Sequence, residues 1–280
     1  MPKISVLMPV FNGLPLIRAS IESLINQTYS DWECVIVDDG STDGTSSYLD
    51  SLSDSRFLVH HFSSNKGRPV ARQKTLELCC GEYLAFLDAG DLYAKNTLET
   101  MLRYMDDNHE AALVSSSICS FGTYTDTVRT RGVPALALQS FNGLLYPNFA
   151  ASMLRAERAK KFSFNPQMSL GEDRDYLEKY LTGQQFLEIP EILYYYSEFD
   201  SVTKKKILKS YVFEIKKNLA NGSKSLVLKN CIKYCCSLMI YPFMTTEYII
   251  SRRGKRLTES EMSNYEKDCK NIVNVILSNH

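Results

Sequence analysis

Residues 32–45, WECVIVDDGSTDGT, constrain the fold more than any other stretch, because an apolar run stops at two adjacent carboxylates and a glycine. Cys34-Val35-Ile36-Val37 shows no alternation with polar residues, so it reads as a parallel strand covered on both faces. In an open α/β sheet, ligands bind outside the carboxyl ends of such strands. Asp38 and Asp39 stand at that end, where they need polar partners.

The surrounding pattern supplies the rest of such a sheet. Residues 4–8 read as a first strand, followed by a Pro9-Val10-Phe11-Asn12-Gly13 loop. Leu14, Ile17, Ile21, Leu24 and Ile25 share one helical face, and Pro15 suits a first helical turn, which predicts a strand–helix–strand unit with residues 34–37. Ser41 or Thr42 can cap a helix running to Leu52; residues 57–61 are a third strand and 69–80 a further helix. A fourth strand at 83–87 ends in Asp88-Ala89-Gly90-Asp91, and 96–108 is helical with Leu98, Met101, Leu102 and Met105 inward. Regular alternation of this kind predicts an α/β fold, a mostly parallel, doubly wound sheet flanked by helices, with two acidic loops at one edge. Strands are expected near 112–116, 120–124, 150–154, 186–189 and 192–196, with a short basic helix from Arg155 and a helix over 172–181.

Short motifs now fall into an order. They are Val6-Leu7-Met8-Pro9-Val10-Phe11-Asn12, Ser23-Leu24-Ile25-Asn26-Gln27-Thr28-Tyr29 and Val37-Asp38-Asp39-Gly40-Ser41-Thr42-Asp43. Asn65-Lys66-Gly67 with Ala71-Arg72, Phe86-Leu87-Asp88-Ala89-Gly90-Asp91, Gly171-Glu172-Asp173, and Tyr195-Tyr196 with Ser201-Val202-Thr203 complete the series. Together they resemble the family 2 glycosyltransferases, whose catalytic domain has the nucleotide-sugar-binding GT-A fold. The resemblance implies transfer of a sugar from a nucleotide donor, UDP-linked, to an acceptor hydroxyl, with inversion at the anomeric carbon. It also implies that Asp39 contacts the base, that Pro9, Phe11 and Asn12 close over the nucleotide, and that Lys66, Arg72 and Asp88 lie beside it. Asp173 would be the general base that takes the acceptor proton. The family's loop at 88–91 usually carries a third-position carboxylate that holds Mn²⁺ or Mg²⁺ on the diphosphate. Here that position is Gly90, which leaves Asp91 as the candidate ligand.

Structural readings stand beside these. Asp39 before Gly-Ser-Thr suits a helix cap, Asp91 a cap before Ala94, Arg72 an ordinary helix surface, and Asp173 a carboxylate at a helix N-terminus. Gly90 also leaves open a nucleotide-sugar-binding protein without catalysis. A nucleotidyltransferase of related fold would be expected to carry a Gly-rich basic loop after the first strand, which Pro9–Gly13 is not.

Whole-chain charge is balanced, 32 basic against 32 acidic side chains, yet residues 204–256 hold thirteen Lys/Arg against Glu214 and Glu247. That local +11, interleaved with Tyr211, Phe213, Tyr234, Tyr241, Phe243 and Tyr248, predicts a catalytic domain over 1–203 and a helical, basic extension over 204–280. The extension suits solvated helix faces, an anionic membrane surface, or less readily nucleic acid. With a lipid-linked glycan acceptor, it would place the protein at the cytoplasmic face of a membrane. No uncharged apolar stretch reaches the roughly 18–20 residues of a spanning helix, and the apolar run at 4–10 lacks the features of a signal peptide. Eight cysteines without a CxxC pair read as reduced core residues of a cytosolic protein.

Overall fold

Every residue of β1 (Ile4–Val10) and of β2 (Trp32–Asp38) is buried, as the unbroken apolar run at 34–37 requires. In the computed structural model, which describes residues 1–121, 128–168, 170–198, 204–220, 222–244 and 255–270, these strands lie at the centre of one sheet. β1 pairs in parallel with β2 on one side and with β4 (Tyr83–Phe86) on the other, and β2 pairs in parallel with β3 (Phe57–His61). The resulting order β3-β2-β1-β4 reverses direction at β1, and a crevice at such a reversal is where α/β sheets bind ligands.

Alternate residues of the central strands feed two cores. Ile4, Val6, Met8, Cys34 and Ile36 face α1 (Ile17–Ile25) and α4 (Thr97–Asp107), whose Ile17, Ile21, Leu24, Leu98, Met101 and Met105 are buried with them. Leu7, Val35, Leu84 and Phe86 face the other way, toward Leu76 of α3 (Arg68–Leu78) and Tyr176, Leu177 and Tyr180 of α6 (Glu172–Leu181). Two helices far apart in sequence, α3 and α6, therefore share one face of the sheet. Gln27 joins the layers locally: its amide donates to the Ala94 carbonyl at 2.7 Å and accepts from the Leu98 amide at 3.1 Å, which gives the Asn-Gln-Thr motif a structural use.

The remaining strands are antiparallel or mixed. β9 (Ser152–Arg155), just before α5 (Ala156–Ala159), runs antiparallel to β4 and to β6 (Ala111–Phe121). β10 (Gln185–Ser197) pairs in parallel with β6 and antiparallel with β5 (Leu92–Tyr93) and β8 (Ala137–Ser140). The two late strands expected at 186–189 and 192–196 are thus one strand, whose pairing with β6 slips around Pro190, a residue with no amide to donate. Of the strand expected at 120–124, residues 120 and 121 end β6 and 122–127 lie outside the described residues.

Two helices begin later than expected. α1 starts at Ile17 because the Gly13 and Leu14 amides go to Thr45 Oγ1 (2.9 and 3.2 Å) and Asp43 Oδ2 (3.1 Å) before the chain turns. α2 (Thr45–Asp50) starts at Thr45, since Ser41 and Asp43 are engaged with that same loop.

The expected division near 203 falls on residues 199–203, outside those described, as does the Ser201-Val202-Thr203 motif. Beyond it, α7 (Lys204–Ala220) and α8 (Lys224–Ile240) pack as a pair of helices. The chain then returns to the sheet. β11 (Lys255–Arg256) pairs with β7 (Arg129–Arg131), and Tyr265, at the end of α9 (Glu259–Tyr265), is buried beside Phe121 and Tyr195. Tyr265 and Cys269 belong to the main core, with Leu257 and Met262 packed against it. Cys34, Cys79, Cys119 and Cys269 are core residues as expected, whereas Cys80, Cys235 and Cys236 are exposed; all eight thiols are free.

Candidate active site

At the carboxyl edge of β1 and β2, a hollow of about 390 Å³ is lined by Pro9, Phe11, Asn12, Asp39, Asn65, Gly67, Arg68 and Asp88. Its walls are tied to one another through backbone amides. Asn12 takes the left-handed conformation that asparagine tolerates, φ 51°, which lets its amide donate to Ser41 Oγ and its Oδ1 accept from the Thr42 amide, both at 2.8 Å. Phe11 projects as an exposed ring. Asp39 is buried and accepts the Lys66 amide at 2.7 Å and the Gly67 amide at 2.9 Å, one on each oxygen. It joins the β2 loop to the start of α3 while lining the hollow. Lys66 contributes that amide; its ammonium lies over the Phe62 ring, 4.2 Å from the centroid.

Asp38 is fully buried and structural. It accepts from the Ser41 amide, Ser46 Oγ and His61 Nδ1; burial alone would raise its pKa, but these hydrogen bonds outweigh burial and hold it below the ordinary carboxylate value.

Arg72 occupies the centre of the site. Its Nη2 donates to both oxygens of Asp88, at 2.9 and 3.1 Å, and its Nη1 to Glu172 Oε1 at 3.1 Å. Burial opposes the guanidinium charge, but the carboxylates of Asp88, Glu172 and Asp173 outweigh it and raise the pKa above the ordinary arginine value. This fork does not lie on a helix surface; it ties α3 and α6 to the β4 loop. Glu172 Oε1 also meets Arg68 Nε at 2.6 Å, so one buried carboxylate oxygen serves two arginines. Its Oε2 is buried with no hydrogen-bond partner among the described residues.

Below this network opens a larger cleft of about 1390 Å³, whose lining includes Arg68, Arg72, Asp88, Tyr146, Asp173 and Arg174 and, from α7, Lys209, Phe213 and Lys216. Asp173 Oδ1 accepts the Arg174 amide at 2.8 Å. Gly171 is required here: its φ is +75°, and a Cβ would meet the Phe213 ring at 2.7 Å. Arg174 pairs with Glu214 at 2.5 Å, which holds α7 over the cleft. No spacing in the sequence marks the approach of α7 to the site. Arg68 was also missed, although its place four residues before Arg72 put both on one helix face.

The 88–91 loop differs from expectation. Asp91, the candidate cation ligand, is only 4 % exposed; its Oδ2 accepts from Tyr194 OH at 2.5 Å and its Oδ1 from the Ser197 amide at 2.7 Å. It anchors β10 to the loop and is not among the residues that line either hollow. Gly90, with φ +102°, offers no side chain, and Asp88 is already matched by Arg72. Among the described residues, no three His, Cys, Asp or Glu side chains gather as a metal site. The groups present therefore do not fit a divalent cation held by Asp91.

Comparison with known proteins gives this arrangement its class. The fold matches crystal structures of S. aureus TarS 1–349: the complex with UDP-GlcNAc superposes with a TM-score of 0.60 over 98 % of this chain and 81 % of that one, at 19 % identity. This is the GT-A fold, a mostly parallel sheet flanked by helices. The family model described as glycosyl transferase family 2 matches residues 5–181, more than half the chain, and the chain belongs to that family. Among relatives, TuaG of Bacillus subtilis (strain 168), whose name assigns it provisionally to teichuronic acid biosynthesis, is 41 % identical over 106 residues, 37 % of this chain and 42 % of its own. WfgD of Escherichia coli, a UDP-Glc:alpha-D-GlcNAc-diphosphoundecaprenol beta-1,3-glucosyltransferase, is 37 % identical over 106 residues, 38 % of this chain and 42 % of its own. The matched region spans less than half the length of each of these two relatives.

The position of Asp91 has a measurable consequence. Burial, with help from the Asp88 charge, outweighs the hydrogen bonds from Tyr194 and Ser197 and lifts its pKa well above 3.8, so the folded state holds that proton more tightly than the unfolded one. Its contribution to stability therefore falls as pH rises past about 3.9 and levels off only above the folded-state pKa. Asp91→Asn, which cannot ionise and keeps an oxygen for Ser197, should flatten that fall in urea unfolding measured at several pH values. An unchanged slope would contradict the buried assignment.

Proposed function

We propose that the protein transfers one sugar from a UDP-linked donor to a hydroxyl of a growing, lipid-linked surface glycan, inverting the anomeric carbon. The observation that carries this reading is that two hollows at the sheet's carboxyl edge share Arg68 and Asp88 as common lining. The smaller suits a nucleoside against Pro9, Phe11 and Asp39; the larger suits a sugar and its acceptor. A nucleotide sugar lying across the junction puts its diphosphate beside Arg68 and its anomeric carbon toward Asp173. Asp88, held by Arg72, is placed to meet the ribose or a water beside it.

In that pose Asp173 Oδ2, which takes no hydrogen bond among the described residues, accepts the proton of the acceptor hydroxyl. The freed oxygen attacks the anomeric carbon as its bond to the diphosphate breaks, and UDP leaves with the bonding electrons. A single displacement of this kind inverts the carbon and passes through oxocarbenium character. UDP-sugar as donor is supported by the UDP-GlcNAc complex of TarS, and a lipid-linked acceptor by the name of WfgD.

The same reading assigns the protein to the inner surface of the cell membrane. Among the described residues no helix is long and apolar enough to cross a bilayer. α8 instead exposes Leu228, Ile232 and Met239, with Phe243 beyond it 90 % exposed, beside Lys224, Lys229 and Lys233. Apolar side chains interleaved with lysines suit an interfacial helix on anionic lipid.

UDP release from a panel of UDP-sugars should be detectable with the wild-type protein. It should fall roughly 10²–10⁴-fold in Asp173→Asn, the range for loss of a general base, with UDP affinity kept within about twofold. No release from any donor, or full activity in the variant, contradicts the reading. Vesicles containing phosphatidylglycerol should sediment the protein in a salt-sensitive way, and Leu228→Glu with Ile232→Glu should abolish this without unfolding it. No sedimentation at low salt would end the membrane assignment. Point substitutions are preferable to deleting the extension, because Tyr265 and Cys269 belong to the core.

A further inference from the structure

A nucleotide sugar brings a doubly charged diphosphate, and the departing UDP gains more negative charge as the glycosidic bond breaks, so a positive group must stand beside it. The 88–91 loop does not supply a divalent ion in that place. Residue 90 has no side chain, Asp91 gives both oxygens to Tyr194 and Ser197, and Asp88 is neutralised by the Arg72 fork. Arg72 is itself 95 % buried at its side chain and committed to two carboxylates.

Arg68 is differently placed. It lines both hollows, so it stands where a diphosphate spanning them must pass. Its side chain is 53 % exposed, and its ion pair to Glu172 uses Nε alone. Glu172 is 1 % exposed at its side chain, and the same oxygen that meets Arg68 also accepts from Arg72. The two terminal amino groups of Arg68 have no partner among the described residues, and these are the donors with which a guanidinium forks onto phosphate oxygens. Arg68 also opens the eleven-residue helix α3, whose positive end favours an anion at the same point.

We propose that Arg68 is the diphosphate-binding cation of this transferase, and that donor binding does not depend on a divalent ion. The proposal rests on the UDP-sugar reading above. Glu172 then acts as a positioning residue: it aims the Arg68 guanidinium and does not itself touch the donor.

Titration calorimetry of the full chain with UDP and with uridine, first in excess EDTA and then with Mn²⁺ or Mg²⁺, tests this. The UDP affinity of the wild type should differ by less than about twofold between the two conditions. Arg68→Gln should weaken UDP by about 10- to 100-fold, the range for hydrogen bonds to a charged group, while uridine binding holds. Arg68→Lys, which keeps the charge without the fork, should fall between them, and melting temperatures near wild type show that both variants fold. UDP binding that vanishes in EDTA and returns with Mn²⁺ overturns the proposal alone, as does Arg68→Gln binding UDP like wild type. A wild type that binds neither UDP nor uridine in either condition overturns the proposal together with the donor reading.

Discussion

The guanidinium of Arg72 joins three separate parts of the chain: its own helix α3, the β4 loop through Asp88, and α6 through Glu172. None of these meets another through strand pairing at that point, so the shape of the cleft depends on a buried ionic cluster. Removing one partner of such a cluster strands a charge in the interior, which typically costs about 3–5 kcal/mol. The cluster persists because both carboxylates sit where the sheet's two-faced core already forces α3 and α6 side by side. Packing brings the helices together, and the charges then set their relative position to hydrogen-bond precision.

That division explains what could be read in advance. The central strands were legible because a strand buried on both faces must be apolar throughout, and residues 34–37 are. The amphipathic helices α1 and α4 were legible from spacing alone, as their buried Ile21, Leu24, Leu98 and Met105 attest. Asp39 and Arg72 could be placed near one edge, since each lies just beyond a strand or near the start of a helix. Their partners could not. A carboxylate that receives two backbone amides from residues 66 and 67 looks the same in sequence as one facing solvent.

Asp91 shows the limit most clearly. An acidic loop after a strand reads as a ligand set, and only the tertiary structure reveals that β10, about a hundred residues later, brings Tyr194 and Ser197 to both of its oxygens. The same blindness applies to α7. Its lysines and Phe213 read as a basic appendage, yet the Arg174–Glu214 pair and the contact with Gly171 make it a wall of the larger cleft. Lys209 and Lys216 of the basic extension thus share one cleft with Asp88 and Asp173.

In the proposed reading, the loops after β1 and β2 and the start of α3 form one nucleotide-binding edge. Hydrogen exchange with and without UDP tests it most directly, because the backbone amides of these loops knit the edge together. Added UDP should slow exchange at residues 10–13, 39–42 and 65–72 together. Protection confined to other parts of the chain, or to only one of these loops, would rule out a single nucleotide-binding edge there.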